Sequence, residues 1–155
     1  MNYACYKGVS GSWGAIQFDM KYPDVDKEKM ITRPGVIFIN ACTAIGKNQY
    51  DWKNKVIFAL SIDELGKLLH FFVSAGEGES LNLVHDSGKG SATEGELIKT
   101  MNCFTRDGVL GGMMVTIMQK KDDQTTTHKI PVSGNEVMVL KALFEFAIPR
   151  LLGWG

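Results

Sequence analysis

The sequence predicts an α+β fold in which a β-β-β-β-α unit occurs twice, and three observations carry that reading. TRPGV at Thr32–Val36 returns as TRDGV at Thr105–Val109, an offset of 73 residues. SIDE at Ser61–Glu64 and SGNE at Ser133–Glu136 both have the S-x-x-E form of a helix capping box, at an offset of 72. Each box follows a strand-like apolar run and opens an apolar stripe at helical spacing. Two unlike signals in the same order at nearly one offset define an internal repeat, about 12–73 and 80–154, in a single domain spanning 1–155.

In the first unit, strands are expected near Trp13–Lys21, Lys29–Thr32, Val36–Ala44 and Lys55–Leu60. Pro34-Gly35 supplies a tight turn between two of them. A helix then runs from Ile62 to about Phe72, with Ile62, Leu65, Leu68, Leu69 and Phe72 on one face. In the second unit, strands are expected near Ser80–His85, Glu96–Arg106, Val109–Lys120 and His128–Val132, with Asp107-Gly108 as the matching turn. The closing helix spans about Gly134–Leu152. Val137, Leu140, Phe144, Ala147 and Leu151 form its stripe, widened by Val139, Leu143, Phe146 and Ile148. A helix this apolar is buried on most sides, in its own chain or against a partner, and Pro149 should kink or tighten its last turns. Strands joined by short loops form antiparallel meanders, one sheet per half.

The bulk composition is that of a globular domain, with 45% hydrophobic and 22% charged residues. Lys plus Arg equals Asp plus Glu at 17 each, which argues against binding nucleic acid mainly by phosphate neutralisation. It leaves room for binding by base stacking, where charge need only be local. Cys5, Cys42 and Cys103 form no C-x-x-C pair, and His70, His85 and His128 show no ligand spacing, so neither a zinc site nor any other metal or cofactor is expected. Reduced, buried thiols imply a reducing, intracellular compartment. No segment is apolar and long enough for a membrane helix, and MNYACYKGVSGSWG shows neither a signal-peptide core nor an Arg-rich presequence.

No catalytic constellation emerges, so a non-enzymatic role is expected. HDSGKGSATEGE at His85–Glu96 fails as a P-loop, because neither Leu83 nor Val84 is the first Gly it needs and Gly90 stands where Ser or Thr is needed. It reads as a mobile Gly-rich hairpin loop. His85 and Asp86 have no nucleophile in a recognisable elbow, so they read as a structural His and a turn-capping Asp. The runs VIFINAC (Val36–Cys42) and GGMMVTIM (Gly111–Met118) barely alternate. One face of each meets a helix; the other meets a second sheet, a partner subunit or a flat apolar ligand. Aromatics and cations interleave at the strand ends: Lys7, Trp13, Arg33, Lys47, Tyr50, Trp52, Lys53 and Lys55 in the first half, and Lys99, Phe104, Arg106, Lys120 and Lys121 in the second. That mixture suits single-stranded nucleic acid, while a buried Trp with solvated lysines gives the same pattern.

QYDWKNKVIFALSIDELGKLL (Gln49–Leu69), HDSGKGSATEGELIK (His85–Lys99) and ALFEFAIPRLLGW (Ala142–Trp154) together resemble the Whirly proteins, single-stranded-DNA-binding proteins of plant nuclei and organelles. The resemblance carries a Tyr-Asp-Trp before the fourth strand, His-Asp followed by Gly-Lys-Gly, and a Pro–Leu-Leu-Gly-Trp ending. It implies two antiparallel four-stranded sheets set roughly perpendicular, held by the two helices, a fold shared with the trypanosomatid mitochondrial guide-RNA-binding proteins. It further implies a homotetramer packed through the helices, with single strands running along the sheets and between subunits. Roles in genome maintenance or transcription follow, in a nucleus, mitochondrion or plastid. Tyr50, Trp52, Trp13 and Phe104 are then the expected stacking groups, with Lys7, Lys47, Lys53, Lys55, Arg33 and Arg106 near phosphates. The family's Lys-Gly-Lys-Ala-Ala-Leu strand is replaced by YKGVSGSWGAIQF at Tyr6–Phe18, which retains only Lys7 and Gly8. RNA binding as an annealing factor, or an oligomer without nucleic acid, are the alternatives.

Overall fold

Side-chain alternation sorts the first sheet into an inner and an outer face. The computed structural model describes residues 2–8, 13–87 and 97–154. Along β1 (Asn2–Tyr6), Cys5 is buried while Tyr6 is exposed; along β2 (Gly14–Lys21), Ile16 and Phe18 point inward and Gln17 and Asp19 outward. A small ribbon, β3 (Asp24–Val25) with β4 (Ile31–Arg33), leads into β5 (Val36–Gly46), whose centre is buried on both faces. Short β6 (Gln49–Tyr50), a 3-10 turn at Trp52–Asn54 and β7 (Val56–Leu60) follow. The sheet runs β1-β2-β5, with β7 pairing one stretch of the free edge of β5 and β6 another. The second sheet has the order β11-β10-β9-β8, from β8 (Ser80–Asp86), β9 (Leu97–Phe104), β10 (Met113–Lys121) and β11 (Gln124–Val132). Every pairing in both sheets is antiparallel.

Three sequence expectations shift. The strand expected at Lys29–Thr32 is no part of the main sheet: Met30 and Ile31 are exposed, so they have no buried face to place there. Its place as fourth long strand is taken by β1, which precedes the expected start of the first repeat at residue 12. Val109 does not continue an extended run but tucks into the core from a 3-10 turn, Val109–Gly111, so β10 begins at Met113. The last strand begins at Gln124 rather than His128. Its added residues are exposed Thr125, Thr126 and Thr127, β-branched yet invisible to a hydrophobicity reading.

Both predicted capping boxes form. Ser61 opens α1 (Ile62–Ser74), its hydroxyl accepting from Glu64 N at 3.3 Å while Glu64 accepts from Ser61 N at 2.9 Å. Ser133 and Glu136 repeat the exchange at 3.2 and 3.0 Å to open α2 (Gly134–Leu151). Each box contributes about 1 kcal/mol and fixes where its helix begins. α2 runs through Pro149 to Leu151 and then closes. Trp154 N donates to Pro149 O and Gly153 N to Arg150 O, with Gly153 at φ 76, which is a Schellman ending.

One core receives the inner face of each sheet and one stripe of each helix. Phe144 of α2 stacks on Phe72 of α1 at 6.0 Å between ring centroids and meets Phe18 of β2 edge-on at 5.8 Å. The sheets also touch through a polar contact, Thr43 Oγ1 to His128 Nδ1 at 3.0 Å; burial depresses the His128 pKa and keeps the ring neutral. Cys5, Cys42 and Cys103 are all free and buried, and burial pushes the thiols of Cys5 and Cys103 up to about 12. The second stripe of α2 is left largely open among the described residues: Met138 and Val139 are exposed, and Phe146, also exposed, carries the Arg150 guanidinium over its ring at 3.4 Å.

Beside the core, Lys7 at the end of β1 reaches the first turn of α2 and pairs with Glu136 at 2.5 Å. Burial opposes the Glu136 charge, but bonds from Lys7, Ser133 and the Cys5 thiol outweigh it and hold the carboxyl near pH 2, against an ordinary 4.5. A carboxyl depressed on folding stabilises the fold fully above its unfolded value and loses that contribution as pH falls toward its folded one. Urea unfolding followed from pH 5 down to about 2 should therefore steepen in the wild type below about 4.5 and flatten in Glu136→Gln, the variant being about 1–2 kcal/mol less stable at pH 7. A second substitution tests the link between the β4–β5 turn and α2. Gly35 N donates to Leu151 O, and an added Cβ would sit 2.5 Å from the Lys21 carbonyl and 2.6 Å from Leu151 Cδ2. Gly35→Ala should cost about 2–3 kcal/mol by thermal unfolding, because backbone must move to admit a methyl group.

Candidate nucleic-acid interface

The outer face of the first sheet is the surface on which most of the predicted groups converge. Its register gives three rows across the strands: Asn2, Asp19, Phe38 and Ala59; Ala4, Gln17, Asn40 and Ile57; and Tyr6, Ala15 and Cys42. Beyond the third row lies Ala44, which pairs with Tyr50. Ala15, Cys42 and Ala44 are small and buried, a flat floor under larger rings.

Over that floor stand three aromatic rings. Tyr6 and Tyr50 lie 5.2 Å apart at 47°, and Tyr50 and Trp52 lie 6.5 Å apart at 51°. The local sequence makes this arrangement. Asn48 takes φ 57 at the tip of the β5–β6 hairpin, and Asp51 holds the turn that follows, accepting from Asn54 Nδ2 at 2.8 Å. Trp52 is therefore carried on a 3-10 turn, half-buried rather than in the core. Lys47, Lys53 and Lys55 are exposed around it. Trp13 is 38% exposed at the start of β2, its ring against Gly8.

Phe104 and Arg106 belong to a separate trough. With Lys7, Met113, Met114 and Pro131 they line an open groove at the end of the second sheet, Phe104 being 40% exposed. Lys7, expected near phosphate, is held by Glu136 on the wall of that groove. Arg33 is set apart. It ends β4, before Val36 opens β5, whereas Tyr50 pairs near the other end of β5, roughly 26 Å of strand away.

Several groups of this surface escaped the sequence reading. Tyr6 is more exposed than either expected tryptophan partner on this sheet, at 57%, and NYACY alternates as a short strand should. Phe38, Ile57 and Ala59 form an apolar bed walled by His85, Leu97 and Lys99. Lys99 crosses between the sheets to donate to Ile57 O at 2.8 Å, and burial lowers its pKa. His85 stacks on Phe58 at 4.1 Å and meets Glu64 Oε1 at 2.6 Å, which ties β8 to the first capping box. The remainder of the Gly-Lys-Gly loop, 88–96, lies outside the described residues. Among the described residues no three His, Cys, Asp or Glu side chains are grouped to hold a metal ion.

The arrangement has relatives. The chain is 31% identical over 99% of its length to the single-stranded DNA-binding protein WHY1, chloroplastic, of Arabidopsis thaliana, covering 57% of that protein. It is 30% identical over 99% of its length to the mitochondrial WHY2 of the same plant, covering 63% of it. The chain thus spans little more than half the length of these curated relatives. The crystal structure of Arabidopsis WHY1 superposes with a TM-score of 0.82 at 27% identity, covering 99% of this chain and 92% of that one. A trypanosome MRP1/MRP2 structure, at 9% identity and a TM-score of 0.59, shares the fold alone. The Whirly transcription factor family model matches residues 12–143, and the chain belongs to the Whirly family.

Proposed function

We propose that this chain binds single-stranded nucleic acid, DNA before RNA, by stacking bases on the outer face of its first sheet and in the trough around Phe104. The observation that carries the reading is the row Tyr6–Tyr50–Trp52, three neighbouring rings over a flat floor with Lys47, Lys53 and Lys55 beside it. Stacking is sequence-tolerant because every base has a π-face, and it accounts for binding by a chain of zero formal charge. The names of the relatives support DNA as the ligand, and their chloroplastic and mitochondrial descriptions support an organellar setting. Work on exposed single strands in repair, replication or transcription fits such a ligand, with no catalytic step by the protein.

Assembly is part of the same proposal. The exposed stripe of Met138, Val139 and Phe146 on α2 supports subunits packed helix to helix, as a homotetramer, with the outer sheet faces left open to ligand.

Competition binding with single-stranded DNA, single-stranded RNA and duplex, on protein of measured oligomeric state, tests the reading; a preference for RNA would turn it toward an annealing factor, and no binding to any would leave a structural oligomer. Within it, Trp52→Ala and Tyr6→Ala should each weaken single-strand binding by about 1–2 kcal/mol, roughly 5- to 30-fold, with the salt dependence unchanged. Lys55→Ala should instead lower the slope of log K against log salt by nearly one unit. A folded Trp52→Ala protein with wild-type affinity would remove Trp52 from the interface.

A further inference from the structure

The two sheets differ at one position that the repeat makes directly comparable. Counting back from each capping-box serine, Ala59 in the first unit corresponds to Pro131 in the second. Across the strands, Ala59 pairs with Phe38 and Phe38 with Asp19, while Pro131 pairs with Met114 and Met114 with Phe104. Where the second sheet presents an aromatic ring to its outer face, the first presents a carboxylate.

That carboxylate is held in place. Gln17 Nε2 donates to both Asp19 oxygens, at 3.2 and 3.0 Å, and Asn40 Nδ2 donates to Oδ2 at 3.0 Å. A carboxylate only accepts, so both amides must turn their nitrogens toward it, and the orientation of each amide is fixed by chemistry. Asn40 is only 7% exposed, which anchors the cluster in the sheet. Asp19 Oδ2 takes two donors and Oδ1 one, so the lone-pair capacity left for a ligand lies at Oδ1 and is that of an acceptor. Phe38, paired with Asp19, and Ile57, paired with Asn40, lay an apolar bed beside it on which a base can lie flat.

Resting on the single-strand reading above, we propose that Asp19, braced by Gln17 and Asn40, is a base-selecting residue that favours bases with an exocyclic amino group and disfavours thymine. Cytosine presents its N4 amino group to such an acceptor, a charge-assisted hydrogen bond. Thymine has a carbonyl oxygen with partial negative charge at that position, and its N3–H donor is flanked by two such oxygens that the carboxylate repels. The same charge repels phosphate, so the nucleic-acid backbone runs along the lysine-bearing rim while the bases face the sheet. The outcome is a compositional bias at one subsite, not the reading of a sequence.

Fluorescence anisotropy with oligo(dC) and oligo(dT) of equal length, at one salt concentration, tests this on pyrimidines of similar size. The wild type should bind oligo(dC) about 3- to 10-fold more tightly, and Asp19→Asn, which replaces half of the acceptor with a donor, should bring the ratio close to one, mainly by improving oligo(dT) binding. Gln17→Met, which releases the brace and leaves the charge, should reduce the ratio partway and serves where Asp19→Asn does not fold. Equal wild-type affinity for the two oligonucleotides, or a ratio unchanged in a folded Asp19→Asn protein, overturns the selection while leaving single-strand binding intact. Binding of neither oligonucleotide overturns the single-strand reading itself, and the selection with it.

Discussion

Phe144 is the point on which the rest of the molecule depends. Its ring is shared by β2, through Phe18, and by α1, through Phe72, so a helix from the second repeat completes the interior of the first. Truncating such a ring costs about 3–5 kcal/mol, a large share of the stability of a domain this size. Because the interior is one cluster fed by both sheets, each sheet has only one face to commit to it. The opposite faces are left to whatever lies outside the core, and the proposed interface follows from that geometry rather than from any cavity built for a ligand.

Electrostatics then divides those outer surfaces. The chain spends Lys7 on Glu136 and Lys99 on a carbonyl oxygen, so these two cations serve the fold. Lys47, Lys53 and Lys55 remain exposed and sit around the aromatic row at one end of the first sheet. A neutral protein with cations concentrated near stacking groups draws its affinity largely from the rings, and its salt sensitivity reflects few phosphate contacts. This is the sense in which a formal charge of zero and nucleic-acid binding are compatible.

The repeat was legible because its punctuation is local. Ser61 with Glu64 and Ser133 with Glu136 announce helix starts within four residues, and both helices begin where those boxes place them. The stripes that follow are also local, with Leu65, Leu68 and Phe72 buried in one helix and Val137, Leu140, Phe144, Ala147 and Leu151 in the other. Strand membership is not local. Lys29–Thr32 and Asn2–Tyr6 are both short, and only pairing with β2 decides that the second of them belongs to the sheet. The same distinction governs the site. Tyr50 and Trp52 are neighbours in sequence and could be read there, whereas Tyr6 joins them only through β1, β2 and β5. The grouping of Gln17 and Asp19 with Asn40 likewise needs the β2–β5 register before it exists at all.

Register matters here because two antiparallel sheets of matching strand order supply two outer faces, and since the core constrains mainly the inner residues, the outer ones are free to differ. At the position shared by Asp19 and Phe104 they differ in the most consequential way open to a surface that meets bases. A ring accepts any base by its face, while a braced carboxylate discriminates by edge and repels phosphate. In the proposed complex Phe104 then stacks without selection, while on the first sheet, which also carries the Tyr6–Tyr50–Trp52 row, Asp19 orients the strand, bases inward and backbone toward the lysine-bearing rim. An acidic group on the proposed binding face, in the row at the opposite end from Tyr6, is then no defect in charge complementarity: it makes the two directions across that face chemically different.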